Sequence, residues 1–133
     1  MLNRVGVWVD HREAFVIRPG EDSDAAVVTV PSLAESQSRR ASDWEQGPFE
    51  PLQQQADNER QRKYTAELNQ YYDRVIETIG EVDSLLIFGP GEAPGELQRR
   101  LRPEDFNGVH VAVQRADRMT QAQMIAHVRR AEW

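Results

Sequence analysis

Three acidic residues are placed so that they could share one piece of chemistry. Asp10 closes an apolar run (VGVWVD), Glu67 lies inside an amphipathic stretch, and Asp117 follows a second apolar run (VHVAV). Two-metal phosphoryl transfer needs several carboxylates converging on ions about 3.5–4 Å apart. Asp10 stands where a first-strand carboxylate of such a nuclease belongs; Glu59 or Glu67 would come from a helix and Asp117 from the final segment. The set is incomplete, because SLLIF (84–88) runs into Gly89-Pro90-Gly91 with no carboxylate before Glu92. The simpler reading of Asp10 is a turn residue between two strands. A metal-dependent nuclease is thus the second reading of this chain, and the first involves no catalytic residue, metal or cofactor.

The glycine-rich turn Gly89-Pro90-Gly91-Glu92 invites comparison with a phosphate cradle. No Gly-Lys-Ser or Gly-Lys-Thr follows it, Pro90 and Pro94 remove two amide donors, and Glu92 would oppose an anion. A tight strand-to-helix corner explains it better. The three histidines, His11, His110 and His127, fall on separate elements without metal-ligand spacing. No G-x-S-x-G elbow exists.

The elements that must position these residues follow from periodicity. Val5–Asp10, Glu13–Arg18 and Ala26–Val30 read as strands, the first two joined tightly enough for an antiparallel hairpin. Residues 32–58 carry only isolated apolar points (Leu33, Trp44, Phe49, Leu52) and read as a long, mobile loop. From Glu59 to Ile79, Tyr64, Leu68, Tyr71, Tyr72, Val75 and Ile79 share one helical face, with Asn58 as N-cap and Gly80 as the stop. Ser84–Phe88 is a buried parallel strand. Pro94 opens a short helix that Pro103 stops. Val109–Val113 is a fifth strand, and Thr120 with Gln123 forms a capping box for a last helix toward Arg130.

The order βββαβαβα, a meander followed by right-handed crossovers, gives an α/β fold of one domain, residues 1–133. Its simplest layout is a ribonuclease-H-like, three-layer arrangement. The mixed five-stranded sheet has order 3-2-1-4-5, with helices on its faces and the first and fourth strands parallel neighbours. Open α/β sheets bind ligands beyond the carboxyl ends of their strands. That edge would gather Asp10, His11, Arg12, Gly89, Gly91, Glu92 and Arg115.

Composition limits the partners. A formal charge of −6 argues against a nucleic-acid binder driven by bulk electrostatics. The charge is uneven, however: five basic and ten acidic residues lie before residue 59, but seven Arg and three acids lie between Leu97 and Ala131. That segment could attract phosphate locally, but a solvated Arg-rich helix face is the simpler reading. The chain has no cysteine, which suits a reducing cytoplasm. It shows no apolar run of membrane-spanning length, and its start reads as a strand rather than a signal peptide.

Three segments together carry a family resemblance: VWVDHREAFVI, ERQRKYTAELNQYYDRVIETI and LLIFGPGEAPGELQRRL. They resemble small bacterial proteins labelled translational machinery proteins. Those proteins look like single-domain relatives of the middle domain of eukaryotic-type peptide release factors and of the ribosome-rescue factor Pelota. The resemblance covers nearly the whole chain outside 32–58 and implies the same ribonuclease-H-like fold. In release factors of this type, a loop between the third strand and first helix carries Gly-Gly-Gln, which promotes peptidyl-tRNA hydrolysis. The corresponding stretch here, PLQQQADNERQRK, has Gln53, Gln54 and Gln55 but no paired glycines, so releasing activity does not carry over. The small relatives commonly have a basic residue after GPGEA, where this chain has Pro94.

The resemblance implies a non-catalytic, ribosome-associated module in the cytoplasm. It would contact tRNA or ribosomal RNA through Arg39, Arg40, Arg60, Arg62 and Lys63, or a protein partner through loop 32–58. A homodimer or larger homo-oligomeric scaffold is a third reading.

Overall fold

The computed structural model describes residues 3–20, 25–32 and 50–131, with side chains in the long first helix described from residue 58 onward. The elements are β1 (Arg4–Val9), β2 (Glu13–Arg18), β3 (Ala26–Pro31), α1 (Glu50–Ile79), β4 (Ser84–Gly89), α2 (Ala93–Arg100), β5 (His110–Arg115) and α3 (Gln121–Arg130). The sheet order is β3-β2-β1-β4-β5. β1 pairs antiparallel with β2 and parallel with β4, in the register Val5↔Leu85 and Trp8↔Phe88. β4 pairs parallel with β5, and Gly89 lies opposite Arg115. The α/β class, the strand order and the β1–β4 neighbour relation are those that the sequence pattern predicts.

Alternation along the central strands builds two apolar layers. Val5, Val7, Val9, Leu85 and Ile87 face α1 and α2, where they meet Leu68, Tyr71, Tyr72, Val75, Ile79 and Leu97. Trp8, Leu86 and Phe88 face the other way, against Met124 and Val128 of α3. Full burial of each aliphatic or aromatic side chain contributes about 1.5–3 kcal/mol, so the apolar stripe of α1, rather than helix propensity, anchors that helix. Its C-terminal end is tied to the sheet as well: Arg18 Nη2 donates to the Thr78 and Ile79 carbonyl oxygens, each at 3.0 Å. At α3, Thr120 and Gln123 cap each other as their spacing requires, by bonds of 2.9 and 3.2 Å.

The first helix departs from expectation at its start. It begins at Glu50, so Asn58 lies inside it rather than capping it, and 50–58 are helical rather than loop. The reason is local. Pro51 suits a first turn, and the Gln, Glu and Ala residues that follow are good helix formers, but they lack the apolar spacing by which a buried helix is recognised. Trp44 and Phe49 lie outside the described residues, as does most of the segment read as a mobile loop.

At 30 residues, α1 is roughly 45 Å long, about twice the length of a six-residue strand. Between residues 58 and 63 only Arg60 is even half-buried, and the first fully packed side chain is Leu68. Residues 58–63 of α1 thus form a largely exposed arm ahead of the packed face of the helix. Among the described residues no helix is long and apolar enough to cross a membrane.

Candidate functional site

The carboxyl ends of β1 and β4 meet at the glycine corner. A Cβ at Gly89, whose φ is +150°, would overlap the Val9 carbonyl oxygen, so only glycine lets the two strand ends close together. Gly91, at φ +64°, then turns the chain into α2 with open space around it. Glu92 is the N-cap residue of α2, but its side chain makes no cap bond and is exposed. The Gly89 carbonyl accepts from Ala116 N at 3.0 Å, holding the end of β5 to the same corner. Every constraint here is steric or concerns backbone pairing. This is a corner, with no anion in its logic.

Asp10 is the hairpin residue. Its Oδ1 accepts from the backbone amides of Arg12 and Glu13, both at 2.8 Å, and its carbonyl accepts from Tyr71 Oη at 2.9 Å. Its Oδ2 faces Arg118 at 3.3 Å, which also reaches Glu13 at 3.5 Å. Asp117 is exposed, and the contact made there is through its carbonyl, which accepts from Trp8 Nε1 at 3.3 Å. Glu67 is half-buried on α1, and its Oε2 has no hydrogen-bond partner among the described residues. Among those residues no three His, Asp or Glu side chains form a group able to hold a metal ion. Among the described residues Asp10, Glu67 and Asp117 are not gathered into such a group: Asp10 Oδ1 serves the turn and its Oδ2 faces Arg118.

The expected edge does bring His11 into a site, but with partners that spacing alone did not indicate. His11 Nε2 lies 2.9 Å from Glu96 Oε1, and Tyr72 Oη donates to the same oxygen at 2.6 Å. Since a carboxylate oxygen only accepts, His11 carries a proton on Nε2. Burial works against the charge of Glu96. The hydrogen bonds from Tyr72 and His11, with the electrostatic pull of His11 and Arg99, outweigh it and hold the carboxyl below its usual range. Burial, then the bond to Glu96 and its charge, push the Tyr72 phenol well above its ordinary value. Burial and the nearby charges of Asp10 and Glu13 do the same to Tyr71.

This trio borders a cleft of about 310 Å³ between α1, α2 and the β1–β2 turn, to which Tyr64, Asn69 and Arg99 also contribute. The signal for it was the adjacent pair Tyr71–Tyr72 on a buried face. A buried phenol needs a hydrogen-bond partner, and Tyr71 takes the Asp10 carbonyl while Tyr72 takes Glu96 from the neighbouring helix.

Of the expected RNA contacts, Arg62 and Lys63 are exposed on α1, just before the cleft. Arg60 is half-buried and has a partner of its own. Arg39 and Arg40 lie outside the described residues, as do the side chains of Gln53, Gln54 and Gln55, whose backbone is helical. Arg12 is exposed beside the hairpin turn, and Arg115 is exposed at the end of β5.

No family model matches the chain, and no curated protein matches it in sequence. Among solved structures the fold is similar to the crystal structure of the Thermoplasma acidophilum Pelota protein. The match has a TM-score of 0.53 and 18% identity, and it covers 98% of this chain and 33% of that one. The chain thus spans about a third of the length of that protein and shares its fold there.

Proposed function

We propose that this domain is a non-catalytic, translation-associated module that binds tRNA or ribosomal RNA, with the release-factor middle-domain fold but without its Gly-Gly-Gln. The observation that carries this reading is the likeness to Pelota across 98% of the chain. Two further features support it. The stretch that corresponds to the Gly-Gly-Gln loop, PLQQQADNERQRK, lies within α1, and Arg62 and Lys63 stand exposed at its end. A chain of net charge −6 must concentrate its cations locally to meet phosphate, and Arg60, Arg62 and Lys63 fall within one four-residue run of that helix. Binding of this kind is weak and salt-sensitive, since each phosphate neutralised releases counterions. Tagged protein sedimented through a sucrose gradient at low salt is expected to travel with ribosomal particles or tRNA and to leave them as salt rises. Protein found only in the free fraction at low salt would contradict the proposal.

A further inference from the structure

The cleft between α1, α2 and the β1–β2 turn holds more hydrogen-bonding capacity than the fold uses. Glu96 Oε1 already accepts from His11 and Tyr72. Oε2 of the same carboxylate accepts no hydrogen bond from the described residues, and the Asn69 amide makes none with them; the exposed Arg99 acts on Glu96 through its charge. Tyr64, which has an interaction of its own, lies beside these groups and is only partly buried. An anionic acceptor, an amide, an aromatic ring and a cation thus surround a space of about 310 Å³, at the lower end of small-ligand cavities.

We infer that this cleft takes one unstacked nucleotide of single-stranded RNA. The base amino group donates to Glu96 Oε2, the ring stacks on Tyr64, and the phosphate meets Arg99. The inference rests on the proposed RNA-binding function and deepens it. Single-stranded RNA is read by stacking on aromatic rings and by hydrogen bonds to splayed base edges, which is the chemistry the four groups supply. Continuity adds to this. Gln61 and Thr65 line the cleft, and Arg62 and Lys63 are exposed between them on the same helix, where the phosphates of neighbouring nucleotides would lie. Adenine, cytosine and guanine carry an amino group on the recognised edge. Uracil offers an imino N–H in place of the amino group, but the carbonyl oxygens on either side of it repel a carboxylate and weaken that bond.

The test is binding of labelled oligoadenylate, oligocytidylate and oligouridylate hexamers to the full chain at low salt, with free AMP as a separate arm. The weakened hydrogen bond to a charged acceptor should leave the uridylate up to about tenfold weaker than the other two. Glu96→Gln should narrow that difference, since an amide can donate to a uracil carbonyl. Arg99→Ala, an exposed change with little risk to folding, should weaken all three oligomers and lower the salt slope by about one. Equal affinity for the three hexamers, together with indifference to Arg99→Ala, would overturn the inference. So would AMP binding as tightly as the oligomers, which would make this a mononucleotide site. Ribosome co-sedimentation that persists in the Arg99→Ala and Glu96→Gln proteins would remove the cleft while leaving the broader function standing. Absence of co-sedimentation from the unaltered protein would remove both.

Discussion

Asp10 and Glu96 are both partly buried carboxylates near the carboxyl ends of the central strands, yet the chain uses them in opposite ways. Asp10 accepts from two backbone amides of its own hairpin, which set its geometry within four residues, and adds only a 3.3 Å contact to the exposed Arg118. Glu96 accepts from His11 in the hairpin and Tyr72 on α1. It is held by side chains from elements far apart in sequence and keeps an oxygen toward the cleft. A carboxylate satisfied by its own backbone is architecture, whereas one satisfied by distant side chains marks where elements converge. That distinction separates the acidic residue that looked catalytic from the one that borders a cavity.

The largest expected effect falls on the corner between the two. Gly89→Ala forces a Cβ into the Val9 carbonyl and should cost about 3 kcal/mol or more, enough to unfold a marginal domain, as read by thermal or urea melting. If the alanine protein melts normally, the two strand ends are not in contact and the placement of both carboxylates fails.

Asp10→Ala removes the acceptor for two amides and should cost about 1–2 kcal/mol by urea unfolding. Asp10→Asn keeps an acceptor oxygen and gives up only the pairing with Arg118, whose side chain is 61% exposed, so it should cost under about 0.5 kcal/mol. Equal loss in the two variants would mean that Asp10 acts through its charge.

Tyr72→Phe should be milder, about 1 kcal/mol, because Glu96 keeps His11 and is open enough to take water. The pH limbs sharpen the same point. The folded-state pKa of Glu96 lies below its unfolded value, so its stabilisation is complete above about pH 4.5 and is lost as pH falls through the lowered value. Glu96→Gln should flatten that acid limb. Tyr71 and Tyr72 are shifted upward, so their contribution is complete below about pH 10 and fades above it, when the unfolded chain loses protons that the folded one retains. Tyr72→Phe should make the alkaline limb shallower, whereas Asp10→Asn should leave the acid limb of Glu96 in place.

Much of this fold was legible because the strands are short and clean. VGVWVD, EAFVIR and SLLIF bury residues on both sides of the sheet, and the turns between them leave few topologies open. The start of α1 was not legible: EPLQQQADN has no apolar stripe, and periodicity detects only helices that carry one. At the site, Asp10 and His11 were visible as polar residues at a strand end. Glu96 was hidden because its partners come from elements 24 and 85 residues away in the chain. Two tyrosines in succession on a buried face were the available clue, since their hydroxyls had to end somewhere.

The central claim, that this acidic domain meets RNA through a small cluster of cations on α1, is tested most directly by measuring tRNA affinity across a salt series for the unaltered protein and for Arg62→Ser/Lys63→Ser. The account predicts that the logarithm of affinity falls linearly with the logarithm of salt, and that the double variant binds more weakly with a slope smaller by about two. Affinity and slope that are the same in both proteins, or no binding at the lowest salt, would contradict it.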